Sequence, residues 1–331
     1  MIKNIEKYKN IFSLLKIIIF ITITVWCINK LGWLMRPTNT DEAFCAIKTF
    51  HNMPENTFEV IGYGSSHIWK GLNAMQMYKD YGIGAYNYGC NWQHINTTLL
   101  FLADSLRTQS PKIVLIETYK VNELLINQDL NGEIYYTKEI ANSPNKKDYI
   151  RQVCGNDIEK YLSYYFPVVS FHSNWNKIAQ SNFNKNYNKY DFKKSMGYLA
   201  GNKVTSIDLS KNSSREEKAL SIEAIKALNE ITKICKDKNI SILYYTAPYG
   251  VKYNYSNAMK EYASKTGASY IDLNEKIDEL KIDPKTDFQD AGHLNDIGTT
   301  KLSNYIGKYL VENYELTDMR KIENNIWQQN L

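Results

Sequence analysis

A serine, a histidine and an aspartate that could together transfer an acyl group lie near opposite ends of the sequence. Ser66 is the second-to-last residue of the segment FEVIGYGSSH at 58–67, and the other two lie in the segment DAGHLN at 290–295. A serine hydroxyl attacks a carbonyl at neutral pH only when an imidazole takes its proton and a carboxylate orients that imidazole. These residue types predict Ser66 as the nucleophile, His293 as the base and Asp290 as the orienting acid.

The local spacing fits this chemistry. Asp290 and His293 are three residues apart, so a turn that leads into a helix can aim both side chains into one cleft. Gly64 permits a sharp turn from strand to helix, and the N–H groups and positive dipole end of that helix could stabilise an oxyanion. The alternative is that Ser65 or Ser66 only caps a helix and that Asp290 and His293 cap another. The joint occurrence of both motifs favours catalysis.

The elements that would position these residues follow an alternating pattern. Short apolar runs alternate with helical patterns, which predicts an α/β fold with a parallel sheet and helices on both faces. Ligand clefts of such sheets lie beyond the carboxyl ends of the strands, and Ser66, Gly89 and Tyr119 all follow strand candidates. The five predicted strands are 58–62, 85–88, 113–117, 240–245 and 270–273.

Two helices are predicted from capping signals. The residues Ser214-Arg215-Glu216-Glu217 form a capping box, followed by apolar residues at helical spacing from Leu220 to Cys235. A second helix is predicted from about Asn254 to Thr266, where Gly267 would end it. Both helices flank the fourth predicted strand, as the alternating pattern requires.

The motifs resemble those of the SGNH, or GDSL-like, hydrolase superfamily, whose first block carries Gly-x-Ser and whose last block carries Asp-x-x-His. The residues at 64–67 match a membrane-anchored bacterial branch in which the first block reads Gly-Ser-Ser-His. The resemblance covers roughly residues 55 to 312 and implies a flavodoxin-like, three-layer α/β/α fold with about five parallel strands. Further segments that are similar to this branch lie at 71–73, 86–89, 93, 111–119, 171–175 and 196–198.

The chain also departs from the superfamily pattern. Ser65 stands where many members have Asp, and the sequence Ile-Glu-Thr-Tyr at 116–119 replaces the Gly-x-Asn-Asp of the third block. In the superfamily that asparagine donates to the oxyanion, and loss of one such donor costs on the order of a hundred- to a thousand-fold in rate. The resemblance therefore also permits a slow enzyme, an enzyme with a restricted acceptor or an inactive relative.

The resemblance implies which groups remain for the oxyanion. The backbone N–H groups of Ser66 and Gly89 would bind it, and the side chain of Asn91 or Gln93 could replace the missing donor. Other residues that the resemblance places near the cleft are Ser65, His67, Tyr119 and His172. A lone histidine among aromatic residues is also commonly structural, so His172 keeps that second interpretation.

The first 36 residues are predicted to be a basic stub followed by one membrane-spanning helix. Lys16 and three earlier lysines precede an apolar stretch that continues to Met35, broken only by Asn29 and Lys30. The unbroken part is shorter than the roughly 20 residues that cross a bilayer, so Lys16 or Lys30 must extend its amine to an interface. The excess of basic residues before the stretch predicts a cytoplasmic N-terminus and an extracytoplasmic domain in the cell membrane.

Two alternatives to the spanning helix remain. A cleaved signal peptide would end at a small-x-small site, and no such site follows the apolar stretch. A buried helix of a soluble domain would not be expected between flanking lysines.

Length, charge and cysteine content limit the function classes. After the anchor about 295 residues remain, which is enough for one large domain. With 40 basic and 35 acidic residues and no basic block beyond the anchor, nucleic acid is not expected as a partner. The five cysteines lack metal-ligand spacing, so neither a metal site nor a disulfide framework is predicted, and no cofactor is expected.

The predicted organisation has four parts. The anchor at 1–36 is followed by a linker at 37–54, a catalytic domain at 55–312 and a tail at 313–331. Within the domain, about 121–212 loses its periodicity and is rich in Tyr, Phe, Asn and Lys, which suits a cap that binds sugar rings over the cleft. Ordinary aromatic packing in a chain of this composition explains the same stretch, and the irregular spacing favours that explanation.

These observations predict an anchored esterase or O-acyltransferase. By resemblance, it would act on acyl esters of cell-envelope polysaccharide, and a transferase would need a membrane protein that donates the acyl group. One alternative is a catalytically inactive SGNH-fold protein that binds polysaccharide or scaffolds an acyl-transfer complex. Another is a membrane lipid esterase, which would need an apolar acyl pocket.

Overall fold

The computed structural model describes residues 2–37, 42–124, 130–184, 190–210, 216–250 and 253–331. The chain divides into two compact units. The first unit, here called the N-terminal unit, comprises 1–41, 127–138 and 150–187. The second, here called the sheet unit, comprises 42–126, 139–149 and 188–331 and contains both motifs that predict catalysis.

The sheet unit contains a five-stranded parallel sheet. Its strands are β1 (Val60–Tyr63), β2 (Ala85–Asn87), β3 (Ile113–Glu117), β4 (Ser241–Thr246) and β5 (Ser269–Asp272), in the spatial order β2-β1-β3-β4-β5. The register pairs Ile61 with Tyr86 on one side and with Val114 on the other. All five predicted strands are confirmed, and so is the α/β class.

Two shorter strand pairs accompany the sheet. Glu216–Glu217 pairs in parallel with Tyr253–Asn254. The strands β6 (Phe288–Asp290) and β7 (His293–Leu294) form an antiparallel hairpin. This hairpin carries the predicted acid and base.

Helices connect the strands and cover the sheet. In chain order the α-helices of the described residues are α1 (Ile2–Leu34), α2 (Glu42–His51), α3 (Ser66–Trp69), α4 (Ala74–Tyr81), α5 (Ile95–Ser105), α6 (Leu130–Thr137), α7 (Pro144–Cys154), α8 (Ile158–Tyr165), α9 (Pro167–Phe171), α10 (Gln180–Phe183), α11 (Phe192–Ser195), α12 (Ile222–Asp237), α13 (Ser256–Thr266), α14 (Ile277–Leu280) and α15 (Asp296–Asn313).

Both faces of the sheet are covered. Consecutive residues of a strand point to opposite faces. Val60 and Ile61 in β1 are both fully buried, as are Val114 and Leu115 in β3. Helix α5 packs against α12 and α4 packs against α15. The core of the sheet unit therefore lies on both sides of β1 and β3, the strands that precede the predicted site.

The predicted helix start at Ser214 is wrong. Helix α12 begins at Ile222, and the hydroxyl of Ser221 caps it by accepting from the N–H of Ala224. Glu216 and Glu217 are extended because they pair with a strand about 37 residues further along the chain. Residues 214 and 215 lie outside the described residues. The second predicted helix is confirmed as α13, and Gly267 ends it with a φ of 75°.

The N-terminal helix is longer than the apolar stretch that predicted it. Helix α1 continues through Asn29 and Lys30, and its segment Tyr8–Leu34 is the one helix among the described residues that is long and apolar enough to cross a membrane. Its apolar side chains are exposed over most of this length. A bilayer would remove that apolar surface from water.

The N-terminal unit packs tightly around the C-terminal end of α1. A side chain on Gly32 would collide with the backbone of Val168 in α9, so only glycine allows this close approach. The amide of Asn182 donates to the carbonyl oxygens of Leu34 at 2.7 Å and Arg36 at 2.8 Å. Asn182 thereby satisfies carbonyl groups that a helix end leaves without partners.

The structure describes parts of three segments that the sequence predicted as linker, cap and tail. The linker at 37–54 contains α2, whose residues Ala46, Ile47 and Phe50 are buried, while 38–41 lie outside the described residues. The predicted cap at 121–212 is divided between the two units, and its parts 125–129, 185–189 and 211–212 lie outside the described residues. Its position over the cleft stays a prediction. The tail at 313–331 is packed on the sheet unit, because Trp327 is fully buried and donates to the carbonyl of Ala85 at 3.3 Å.

Candidate active site

The nucleophile candidate lies on a sharp turn between β1 and α3. Gly64 has a φ of 152°, which favours glycine, and a Cβ there would lie 2.7 Å from the Cβ of Glu117. Ser65 is the N-cap of α3, so the capping interpretation holds for Ser65. Ser66 is the first residue of the helix and its hydroxyl bonds to another element. The two adjacent serines therefore differ in role: Ser65 caps the helix, and Ser66 is the candidate nucleophile.

The hydroxyl of Ser66 is linked to the hairpin β6–β7. Ser66 Oγ lies 2.6 Å from His293 Nε2, and His293 Nδ1 lies 2.8 Å from Asp290 Oδ1 and 3.1 Å from Asp290 Oδ2. The structure therefore brings the three predicted catalytic residues together in one hydrogen-bonded chain. With Nδ1–H donating to the carboxylate, Nε2 is free to accept the serine proton.

The charge states of the pair suit a base and its orienting acid. Burial lowers the pKa of His293 below its ordinary value of 6.5, although the hydrogen bond and charge of Asp290 oppose this shift. Burial tends to raise the pKa of Asp290, but the hydrogen bonds from Gly292 N–H and the His293 ring outweigh it and lower that pKa. Near neutral pH the imidazole is therefore neutral and the carboxylate is charged.

The base of the hairpin is fixed by buried polar groups. Asn295, which is the N-cap of α15, donates from its amide to the carbonyl of Thr286 at 2.6 Å. Asp287 is fully buried, accepts from the N–H of Asp283 at 2.8 Å and pairs with the amine of Lys301 at 2.6 Å. Asn295, and neither Asp290 nor His293, therefore caps the helix, which leaves the latter two available to the cleft.

A second buried chain of polar groups runs directly behind the serine. Ser65 Oγ lies 3.1 Å from Glu117 Oε2 and 3.1 Å from His67 Nδ1, and His67 Nε2 lies 2.5 Å from the carbonyl oxygen of Gly292. Ser65, His67 and Glu117 are each at most 4% exposed. This chain connects the serine turn and the end of β3 to the loop between Asp290 and His293.

Burial shifts the ionisation of this chain strongly. Burial raises the pKa of Glu117 to about 8, against the opposing hydrogen bonds from the N–H of Tyr119 and from Ser65. Burial and the nearby His293 lower the pKa of His67 to about 3, against the hydrogen bond to Gly292. Both shifts disfavour charge on these residues.

The candidate oxyanion donors differ in their surroundings. Gly89 follows β2, and a Cβ there would lie 2.5 Å from the carbonyl oxygen of Gly64, so its backbone closely approaches the serine turn. Helix α3 has only four residues, so its dipole would contribute little to the stabilisation of an oxyanion, and individual N–H groups would have to bind it. The N–H of Ser66, at the first helical position, has no acceptor within the helix.

The two expected side-chain donors have other partners. The amide of Asn91 donates to Glu42 at 3.4 Å. The amide of Gln93 is buried, accepts from the N–H of Cys90 at 3.0 Å and donates to Thr98 at 3.0 Å. Gln93 therefore stabilises the loop that follows β2, and the role of Asn91 at the oxyanion stays a prediction.

Aromatic rings continue from the base to an exposed tryptophan. The ring of His67 lies 5.2 Å from that of His293 and 4.5 Å from that of Tyr119. Trp92 is 59% exposed and lies 6.4 Å from Tyr119, with the amine of Lys120 4.6 Å above its ring. Exposed rings of this kind can stack on sugar rings. The sequence predicted Tyr119 near the cleft, but Trp92 was not singled out.

The mid-chain segments lie in different units. The segment at 196–198 is in the sheet unit, where the N–H of Asn87 donates to the carbonyl of Met196 at 3.0 Å. His172 is in the N-terminal unit, and its Nδ1 lies 3.1 Å from the carbonyl oxygen of Val168 in α9. His172 thus contacts backbone carbonyl groups of α9, and its place near the cleft stays a prediction.

Sequence reasoning missed the role of Glu117. The sequence shows Glu117 only as part of the departure from the third block. Its position was nevertheless a usable signal, because a carboxylate at the end of a continuous apolar run is expected to be buried. Among the described residues, no group of three or more His, Cys, Asp or Glu side chains could hold a metal ion.

No protein-family model matches this chain, and no curated protein matches it. The similarity to SGNH hydrolases that the motifs suggest therefore stays a prediction.

Proposed function

We propose that this protein is a membrane-anchored serine esterase or O-acyltransferase of SGNH type that acts on acyl esters of cell-envelope polysaccharide. The observation that carries the proposal is the hydrogen-bonded chain from Ser66 Oγ through His293 to Asp290, with distances of 2.6 and 2.8 Å. A serine is activated when a neutral imidazole, oriented by a carboxylate, can accept the proton of its hydroxyl group, and this hydrogen-bonded chain has that arrangement.

The first half of the reaction forms an acyl-enzyme. Ser66 Oγ bonds to the acyl carbon while its proton moves to Nε2 of His293, and the carbonyl oxygen becomes an oxyanion held by the N–H groups of Ser66 and Gly89. The carbonyl then reforms as the bond to the leaving oxygen breaks. That oxygen takes the proton from Nε2, and Asp290 stabilises the imidazolium in between.

The second half releases the acyl group to an acceptor. A water molecule or a sugar hydroxyl gives its proton to Nε2 and attacks the acyl carbon, and Ser66 leaves with the proton restored. Water makes the protein an esterase, and a sugar hydroxyl makes it a transferase. The exposed ring of Trp92 and its neighbour Tyr119 support a sugar as the group bound next to the serine.

The proposed location follows from α1. With the basic N-terminus in the cytoplasm, the rest of the chain lies outside the membrane, where envelope polysaccharide is found. In the transferase version a membrane protein would supply the acyl group. Reporter domains fused to the N-terminus and the C-terminus test this orientation, because only an extracytoplasmic C-terminus would give activity to a periplasm- or surface-dependent reporter.

A second candidate is a non-catalytic protein that binds polysaccharide or scaffolds an acyl-transfer complex. The specific observation in its favour is Thr118, which occupies the position of the expected third-block asparagine. Its hydroxyl is buried, donates to the carbonyl of Tyr245 at 3.1 Å and lies 2.6 Å from the hydroxyl of Thr246, so it does not replace the missing oxyanion donor. Reactivity at Ser66 distinguishes the two candidates.

The deciding experiment is covalent labelling of the full chain in detergent micelles with a small organophosphonate, read by intact mass. We expect one adduct on the parent and on Ser110→Ala, an exposed serine in the same unit, and none on Ser66→Ala. No adduct on the parent at any pH between 6 and 9 would favour the non-catalytic candidate. Preference for long over short acyl chains in the same preparation would instead favour a lipid esterase.

A further inference from the structure

The buried chain behind the serine has a proton count that its geometry fixes. His67 Nε2 faces the carbonyl oxygen of Gly292 at 2.5 Å, and a carbonyl can only accept, so Nε2 must carry a proton. A neutral imidazole has only one N–H, so its Nδ1 then accepts the hydroxyl proton of Ser65, 3.1 Å away. The contact between Ser65 Oγ and Glu117 Oε2 then needs a proton from the carboxyl group.

The alternative proton arrangement has the same total. If His67 were an imidazolium, Ser65 would accept from Nδ1 and donate to a Glu117 carboxylate. Either way the three side chains hold one proton more than a carboxylate and a neutral imidazole would. Because the imidazolium would lie in a buried position 5.2 Å from the ring of His293, which itself becomes charged in catalysis, the proton belongs on Glu117.

This proposal rests on the proposed function: we propose that Glu117, Ser65 and His67 are positioning residues. Together they form a hydrogen-bonded chain with one shared proton, here called the relay. The relay holds the Gly292 loop, and with it His293, in place against the serine turn. Each member contacts the next, and none of them has to touch the substrate. The chain ends at Gly292, directly before the base. It thereby sets where His293 lies relative to Ser66.

Loss of the proton breaks one link of this chain. When Glu117 gives its proton to solvent, Ser65 must donate to the new carboxylate, and its lone pairs then face Nδ1 of His67. If Nδ1 takes the single imidazole proton instead, the lone pair of Nε2 faces the carbonyl oxygen of Gly292. One contact is repulsive in each case, so the loop that carries the base loosens.

The pH dependence has a definite sign. The pKa of Glu117 is raised to about 8, so the carboxyl group is protonated at neutral pH and the relay fails as pH rises through this value. Activity should then fall on the alkaline side, by up to about tenfold per pH unit, towards the level of a protein that lacks these hydrogen bonds. Other titratable groups act on His67 through their charge, namely His293, Asp290 and Lys120. Tyr245 also lies near Glu117, but burial and the charge of Glu117 raise the pKa of this phenol well above its ordinary value, so it stays neutral.

The test compares pH profiles of the full chain in detergent micelles, using a small chromogenic ester. In Glu117→Gln the amide donates to Ser65 at every pH, so we expect activity near that of the parent at pH 7 and no alkaline fall. Glu261→Gln, on the exposed face of α13 in the same unit, should keep the profile of the parent. An alkaline fall that is unchanged in Glu117→Gln would overturn the proposal.

A second variant and a second readout make the test independent of folding and of turnover. Ser65→Ala removes the link between carboxyl and imidazole, so activity should be lower at all pH values without a further alkaline fall from the relay. The infrared band of a protonated carboxyl group should be present at pH 6, disappear around pH 8 and be absent in Glu117→Gln. If the parent lacks that band at pH 6 the relay is refuted, whereas a band without ester turnover would refute only the proposed function.

Discussion

Ser66 Oγ and His293 Nε2 lie 2.6 Å apart although 227 positions separate the two residues in the chain. Two separate structural elements bring these residues together. The turn at Gly64 places the serine beyond the carboxyl end of β1, and the hairpin β6–β7 places the imidazole there from the other end of the fold. The contact between Ser66 and His293 therefore depends on the packing of the whole sheet unit.

Replacing Asp290 with asparagine should reduce turnover without unfolding the protein. The amide can donate to Nδ1 and so favour the wrong tautomer of His293, and the equivalent change in a serine triad costs about 10⁴-fold in kcat. Asp290 is largely exposed, so little stability is lost. Steady-state hydrolysis of a chromogenic ester gives the rate, and thermal unfolding in micelles checks the fold. An unchanged kcat would show that the pair is only structural.

The acidic side of the pH profile should report on His293. The base must be neutral to accept the serine proton, so kcat/KM rises with pH through the pKa of the imidazole. Burial holds that pKa below 6.5, and the charge of Lys70 lowers it further. We therefore expect a midpoint below 6.5 in the parent and a higher midpoint in Lys70→Gln. A midpoint that moves down in this variant would contradict the assignment.

Gly89→Ala should impair both stability and activity. The added methyl group would collide with the carbonyl oxygen of Gly64 and with Ile68, and overpacking of this kind costs about 1–3 kcal/mol. It would also displace an N–H group proposed for the oxyanion. Gly250→Ala is the matched control, because the nearest atom to its Cβ would be 3.6 Å away. Urea unfolding and ester hydrolysis of both variants test the prediction, and equal behaviour of the two would refute it.

Trp327→Ala should destabilise the sheet unit strongly. The indole is fully buried, lies 5.9 Å from the ring of Phe58 and bonds to the edge strand at Ala85. Truncation of a buried tryptophan costs about 3–5 kcal/mol. Trp175, which is 71% exposed, offers the control, since its removal should change the free energy of unfolding by about 0.5 kcal/mol or less. Similar losses in the two variants would show that the tail is not part of the core.

The sequence was a good guide to the sheet because its signals are local. The third and fourth predicted strands are nearly continuous apolar runs, as buried parallel strands require, and the other three were indicated by short apolar runs that alternate with helical patterns. The start of α12 was harder to predict, because both Ser214 and Ser221 are suitable N-cap residues. Glu216 pairs with Tyr253 and is therefore extended, so the helix begins only after Ser221. A contact between residues so far apart in the sequence leaves no local signal.

The candidate site was predictable to a similar extent. The residues of the triad follow from chemical type and spacing, and the structure places them in contact. The relay was not predictable, because the ionisation of Glu117 and His67 depends on burial and on which nitrogen faces Gly292. Neither quantity can be read from residue order.

The tight packing at the end of α1 limits how the protein can be shortened at its N-terminus. A chain shortened to begin at residue 37 would lose the carbonyl groups that Asn182 binds and the backbone at Gly32 that covers Val168. Lys138, whose amine lies 4.0 Å above the ring of Trp33, would lose that partner as well. Helix α1 is thus part of the folded structure of the N-terminal unit, and removing it to gain solubility would also remove contacts on which the packing of that unit depends.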